Sequence, residues 1–323
     1  MTARTAARRL RVRWRHAAVA LAALLSASAP AQRREAEAPD PMAAFAERGT
    51  QLENARDPVW ALAEHRRLER ALTGLQPQRP GTVDAYVVVA GLDGDPVFGR
   101  EAREAAAVLA RRYDAVGRTI LLAGSDGSGE STAPRGSPDN LYAALARVAE
   151  LMDRQEDVLV LYTTSHGAPY GIVYKDGDAG VAAISPQRLY AVLSRLGIEN
   201  RLLLVSACFA GVFVPMLQSP TTAIVTAASA DRTSFGCQAD SDWTFFGDAL
   251  VNHALRKPQP LAAAARDAFG LITAWEAKGK LEPSQPQLSI GADVPRWLAP
   301  LEARTPAAVT ASVGRPAVSL LEE

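Results

Sequence analysis

The chain is poor in the side chains that hold metals or staple a fold. Of its 323 residues, two are cysteine and four histidine. No pair of them has zinc-ligand spacing, so no metal site is expected. Charge of one sign is missing too. Lys+Arg and Asp+Glu balance at 35 each, which removes the electrostatic footprint of a nucleic-acid or anionic-membrane partner. The apolar run from Ala17 to Leu25 falls short of the roughly 20 residues that span a bilayer. No cysteine follows it, which excludes a lipoprotein anchor, and nothing specifies an oligomeric state. No cofactor motif is present either: Gly124–Thr132 is glycine-rich but lacks the lysine that meets phosphates. Asp176-Gly177-Asp178 has too few oxygen ligands for a calcium loop and reads as a turn.

What is present begins with an export signature. Arg4, Arg8, Arg9, Arg11, Arg13 and Arg15 precede the apolar run, and Ala29-Pro30-Ala31 supplies small residues at a cleavage site. Residues 1–31 therefore read as a signal peptide, and the mature protein is expected in a periplasm or outside the cell. Residues 32–57 are polar and weakly patterned, a spacer without a core. Residues 58–75 carry Trp60, Leu62, Leu68 and Leu72 at helical spacing behind a proline. The spacer and this helix together occupy residues 32–80.

From residue 81 to 298, apolar β-rich runs alternate with helical patterns. AYVVVAGL, GRTILLAGS, VLVLYTTS, NRLLLVSACF and TTAIVTAASA read as strands; Ser137-Pro138 and Ser185-Pro186 read as helix caps with first turns. YGIVYKDGDAGVAAIS reads as a hairpin, and Trp243–Lys257 and Leu261–Lys280 as closing helices. This alternation predicts a mainly parallel sheet in a three-layer α/β/α sandwich. The proline- and alanine-rich tail, 299–323, is expected to be disordered.

Two of the strands end in reactive side chains flanked by glycine: His166 before Gly167, and Cys208 three residues before Gly211. Open α/β sheets build active sites at the carboxyl ends of their strands. A free thiol with a pKa near 8.5 is only a few per cent thiolate at neutral pH, so a nucleophilic cysteine needs an imidazole or backbone dipoles beside it. His166 is the suitable partner. His16 falls in the signal peptide, His65 on the N-terminal helix and His253 within a closing helix. In this reading Cys208 attacks a scissile carbonyl, His166 activates the thiol or protonates the leaving amine, and backbone N–H groups of Gly167 and Cys208 hold the oxyanion. No carboxylate is placed by the sequence to orient His166. Cys237 has no histidine beside it and reads as a structural thiol, though a disulfide with Cys208 would silence the site.

S-H-G, S-A-C-F-A-G and T-A-A-S-A-D-R-T-S-F-G-C, each after a strand and in that order, resemble the legumain-like cysteine peptidases, relatives of caspases and of the glycosylphosphatidylinositol transamidase. The resemblance spans about residues 80–291. His166 and Cys208 are 42 positions apart, close to the roughly 50 of caspases. It implies a caspase-like sandwich, peptide or protein substrates, and a Cys/His dyad. It also implies a pocket for asparagine before the cut, built from Ser234, Asp248 and Arg100. Phe209 departs from the family pattern, since plant and animal legumains carry an acid there. Two other functions share the motifs: a transamidase or peptide ligase using the same acyl-enzyme, and an inactive caspase-fold scaffold that binds partners.

Overall fold

The computed structural model describes residues 40–321. The expected signal peptide lies outside them. Before the central sheet the chain forms helix α1 (Pro41–Arg48), strand β1 (Gln51–Glu53) and helix α2 (Pro58–Thr73). The segment expected to be a coreless spacer is thus partly structured. Asp40 caps α1, Ala46 is buried, and β1 pairs antiparallel with residues 180–182. Asp57 accepts the Val59 and Trp60 N–H groups to start α2 at Pro58, where the missing proline donor costs nothing.

The core unit follows as β2 (Ala85–Gly91), α3 (Pro96–Arg112), β3 (Thr119–Leu122), α4 (Pro138–Leu151) and β4 (Val158–Thr164). A small antiparallel insertion comes next, β5 (Gly167–Ala168), β6 (Gly171–Asp176) and β7 (Gly180–Ile184). Then come α5 (Pro186–Leu196), β8 (Arg201–Ser206), the short α6 (Val214–Leu217), β9 (Thr222–Thr226), a π-helical segment (Gly247–Ala254), α7 (Leu261–Gly279), β10 (Gln287–Ile290) and α8 (Val294–Ala303).

The main sheet runs β10-β9-β8-β4-β2-β3 and is parallel except for β10. The insertion forms a second sheet, β1-β7-β6-β5. Strands β2, β4, β8 and β9 are buried along their whole length, as expected for parallel strands covered on both faces. Their alternate side chains feed two cores. Val87, Val89, Val160, Tyr162, Leu202 and Leu204 pack under α3, the π-helical segment and α7. Tyr86, Val88, Leu159, Leu161, Leu203 and Val205 pack under α4 and α5. This is the three-layer α/β/α, caspase-like arrangement. No helix among the described residues is long and apolar enough to cross a membrane.

The tail departs from its expected disorder. The helix α8 continues to Ala303, and the chain beyond it is held by side chains the sequence reading assigned elsewhere. Trp243 Nε1 donates to Val313 O, Asn252 brackets Val313 with two bonds, and Ala317 N–H donates to Asp248. Ala317 is buried in the α7-side core. Proline and alanine carry little patterning, but here the backbone, not the side chains, makes the attachment.

Candidate active site

Three parallel strands end at one register. Gly91 of β2 pairs with Thr164 of β4, and Thr164 pairs with Ser206 of β8. Two residues further along each strand stand Asp93, His166 and Cys208. Bonds past the strand ends, Leu92 N–H to Thr164 O and Ser165 N–H to Ser206 O, carry the alignment towards the loops. The reactive side chains meet because neighbouring strands stop together at their carboxyl edge.

Gly167 is required by the closeness of this meeting. A Cβ at Gly167 would stand 2.0 Å from the Cys208 carbonyl oxygen and 3.0 Å from its nitrogen. The adjacent ladder bond runs from Val173 N–H to His166 O, so the Gly167–Ile172 pair is the non-hydrogen-bonded kind. Strand β5 is also the edge of its sheet, which leaves the Gly167 N–H facing outward. After the cysteine, Phe209 adopts φ 57°, ψ 15°, a left-handed conformation rare for a bulky residue, and its N–H donates to Arg232 O. The turn presents Cys208 at the top of the sheet on a strained corner.

The thiol is held by the loop after β9. Ser234 N–H donates to Cys208 Sγ at 3.2 Å, and Sγ lies 3.5 Å from Ser234 O. The Cys237 thiol beside it donates to the Cys208 sulfur and, with the Ser234 N–H and the nearby His166 charge, outweighs burial and pulls the Cys208 pKa down to about 6. Donation to Cys208, burial and the Cys208 charge hold the Cys237 pKa well above the usual thiol range. Both cysteines are free. Cys237 therefore contacts the nucleophile, a role beyond the structural thiol expected from the sequence.

His166 is oriented by groups the sequence reading did not find. Its Nε2 lies 3.8 Å from Asp95 Oδ2, and Phe98 meets its ring edge-on with centroids 5.1 Å apart. Asp93 is buried, accepts the Asp95 N–H through one oxygen and keeps the other, Oδ2, without a partner. Burial pushes the Asp93 carboxyl up; the Asp95 N–H and the His166 charge pull against it. The expectation that no carboxylate faces His166 is overturned. Asp93-Gly94-Asp95 directly follows a strand, and that was the available signal. Its force depends on β2 being the neighbour of β4, which spacing along the chain does not state.

Residues 132–273 match the Peptidase C13 family. Over that segment the chain is similar to the legumain-like cysteine peptidases. It is a cysteine-type peptidase, a hydrolase whose substrates are peptides or proteins. The match contains His166, Cys208, Ser234 and Asp248 and begins after Asp93, Asp95 and Arg100. No curated protein matches the chain.

Of the three residues expected to form an asparagine pocket, Arg100 and Asp248 have their polar atoms engaged within the protein. Ser234 reaches the site through its backbone, as described. Arg100 spends its guanidinium on backbone carbonyls, Ser241 O at 3.1 Å, Asp126 O at 2.7 Å and Ala239 O at 2.6 Å, and pairs with Asp242. It clamps the loop that follows Cys237. Asp248 is fully buried, accepting from Asn252 Nδ2 and Ala317 N–H at 2.8 Å each, with His253 Nε2 at 3.3 Å. Its carboxylate anchors the tail. His253 accordingly has a carboxylate beside it. Below the thiol loop, buried Glu101 accepts from Tyr162 Oη at 2.6 Å and Thr244 N–H at 2.9 Å, and Thr244 Oγ1 meets Ser206 Oγ at 3.1 Å. These bonds tie α3, β4 and β8 to the loop that carries Ser234 and Cys237.

Proposed function

We propose that the chain is an exported cysteine endopeptidase in which Cys208 is the nucleophile and His166 the acid–base group. The observation that carries the reading is the common register of β4 and β8, from which His166 and Cys208 project at equal distance beyond a paired position. A thiol lowered to about 6 supplies thiolate at neutral pH. The thiolate attacks the scissile carbonyl carbon, and its oxygen gathers negative charge against the N–H groups of Gly167 and Cys208, each donor worth about 3 to 4 kcal/mol. Collapse of the adduct breaks the C–N bond as His166 gives its proton to the leaving amine. Water then attacks the thioester, His166 takes its proton, and the acid leaves with the thiolate restored.

The arginine-rich start, the apolar run and Ala29-Pro30-Ala31 support export. Asparagine specificity loses the support of Arg100 and Asp248, whose polar atoms are engaged elsewhere, and is not part of this proposal. The test is labelling by peptide electrophiles that differ only in the residue before the cut. Wild type should be modified at Cys208, and neither Cys208→Ala nor His166→Ala should turn over substrate. Absence of both labelling and turnover after reduction would sink the peptidase reading in favour of a binding scaffold.

A further inference from the structure

Asp95 occupies the N-cap position of α3 yet makes no capping bond with its side chain. Its carboxylate is turned instead to His166 Nε2, 3.8 Å away, while Asp93 brings up an oxygen that has no hydrogen-bond partner on a side chain 95% removed from solvent. One donor atom from each of the three residues lies within 4.8 Å of the other two. Burying a carboxylate oxygen without a partner is costly, and a native protein keeps such an atom where something else satisfies it. Apart from His166 itself, the cation acting on Asp93 is Lys175, whose charge reaches Asp93 more weakly than that of Asp95 and whose backbone serves Gly94.

We propose that Asp93, Asp95 and His166 form a binding site for a divalent transition cation of the zinc class, and that its occupation switches the catalytic histidine off. Two carboxylate oxygens and an imidazole nitrogen are a zinc-type donor set, since calcium and magnesium favour oxygen alone. Zinc–nitrogen and zinc–oxygen bonds of about 2.0 to 2.2 Å limit two ligands to about 4.2 Å apart. The 3.8 Å between Asp95 and His166 falls within that reach, all three donor atoms lie within 4.8 Å of one another, and small rotations of the half-exposed Asp95 and His166 side chains would close the remaining fraction of an ångström. A fourth position stays open for water.

The consequence for His166 follows from its two nitrogens. A cation on Nε2 takes the lone pair there, so the neutral ring carries its proton on Nδ1 and has no site left to accept another. The imidazolium that protonates a leaving amine then does not form. The site therefore acts on the proton-transfer step and leaves the Cys208 thiol in place.

The test is equilibrium binding of Zn2+ to the doubly substituted Cys208→Ala, Cys237→Ala chain, which removes both thiols as rival ligands and is independent of peptidase activity. One Zn2+ should bind per chain. Affinity should fall at least tenfold, on the order expected for loss of one ligand, in the same chain carrying Asp95→Asn, and likewise with His166→Ala. Asp95 is half exposed and caps nothing, so the variant's unchanged melting temperature separates lost binding from lost fold. Absence of binding, or binding undiminished by either added substitution, overturns the proposal. Loss with His166→Ala but not with Asp95→Asn also overturns it, because the carboxylates would then play no part.

Discussion

Asp93 and His166 stand in the same register, each two residues past the Gly91–Thr164 pair of adjacent parallel strands. Cys208 repeats the offset past Ser206 on the next strand. Parallel strands joined by right-handed crossovers all deliver their carboxyl ends to one edge, so chemistry written into three distant loops arrives at one place.

The lowered Cys208 pKa predicts an acidic limb for thiol reactivity. Thiolate is present above its pKa of about 6 and is lost as the pH falls through that value. Alkylation by iodoacetamide between pH 4 and 9 should rise with a midpoint near 6. Cys237→Ala removes the leading donor to the sulfur, and its midpoint should move up towards the ordinary thiol value of about 8.5. An unmoved midpoint would show that Cys237 does not set the nucleophile's acidity.

Gly167→Ala places a methyl group 2.0 Å from the Cys208 carbonyl oxygen, which is backbone and cannot swing aside. Relief requires the two strand ends to separate. A displacement of about 1 Å costs on the order of a hundredfold in turnover, and stability should fall by about 1 to 3 kcal/mol. Turnover and urea unfolding of the same preparation check both.

Asp248 anchors the tail, so Asp248→Ala should act on stability and not on substrate choice. It leaves the Ala317 N–H and Asn252 without their acceptor in a buried position. The cost should be about 2 to 3 kcal/mol, a melting temperature lower by roughly 5 to 10 °C. A selective change in the residue accepted before the cut, at unchanged stability, would return Asp248 to the substrate pocket.

The left-handed conformation of Phe209 makes a further substitution informative. Phe209→Val puts a β-branched residue where chirality already costs roughly 1 to 2 kcal/mol, and turnover should drop. Phe209→Gly suits the conformation, and turnover per folded molecule should exceed that of the valine variant.

The strand ends bearing His166 and Cys208 were legible because each motif is local: a buried β-run, then a reactive side chain, then glycine. The tail, by contrast, was misread because its attachment rests on Val313 O and the Ala317 N–H, backbone groups that no side-chain pattern displays. Residues 40–57 were misread for a similar reason. Strand β1 has three residues and pairs with β7, far along the chain, and so short an element carries too few side chains to show a period of two.

The sequence by itself determined the three-layer sandwich and the two residues proposed to carry the chemistry, because strand and helix periodicity and strand-end motifs are properties of contiguous residues. Only the tertiary structure decided what surrounds those two. It brought Asp93, Asp95 and Cys237 to the site and engaged Arg100 and Asp248 with backbone and buried partners. Those assignments depend on which strand lies beside which and on which backbone atoms a long side chain can reach, and both are settled when the sheet is assembled.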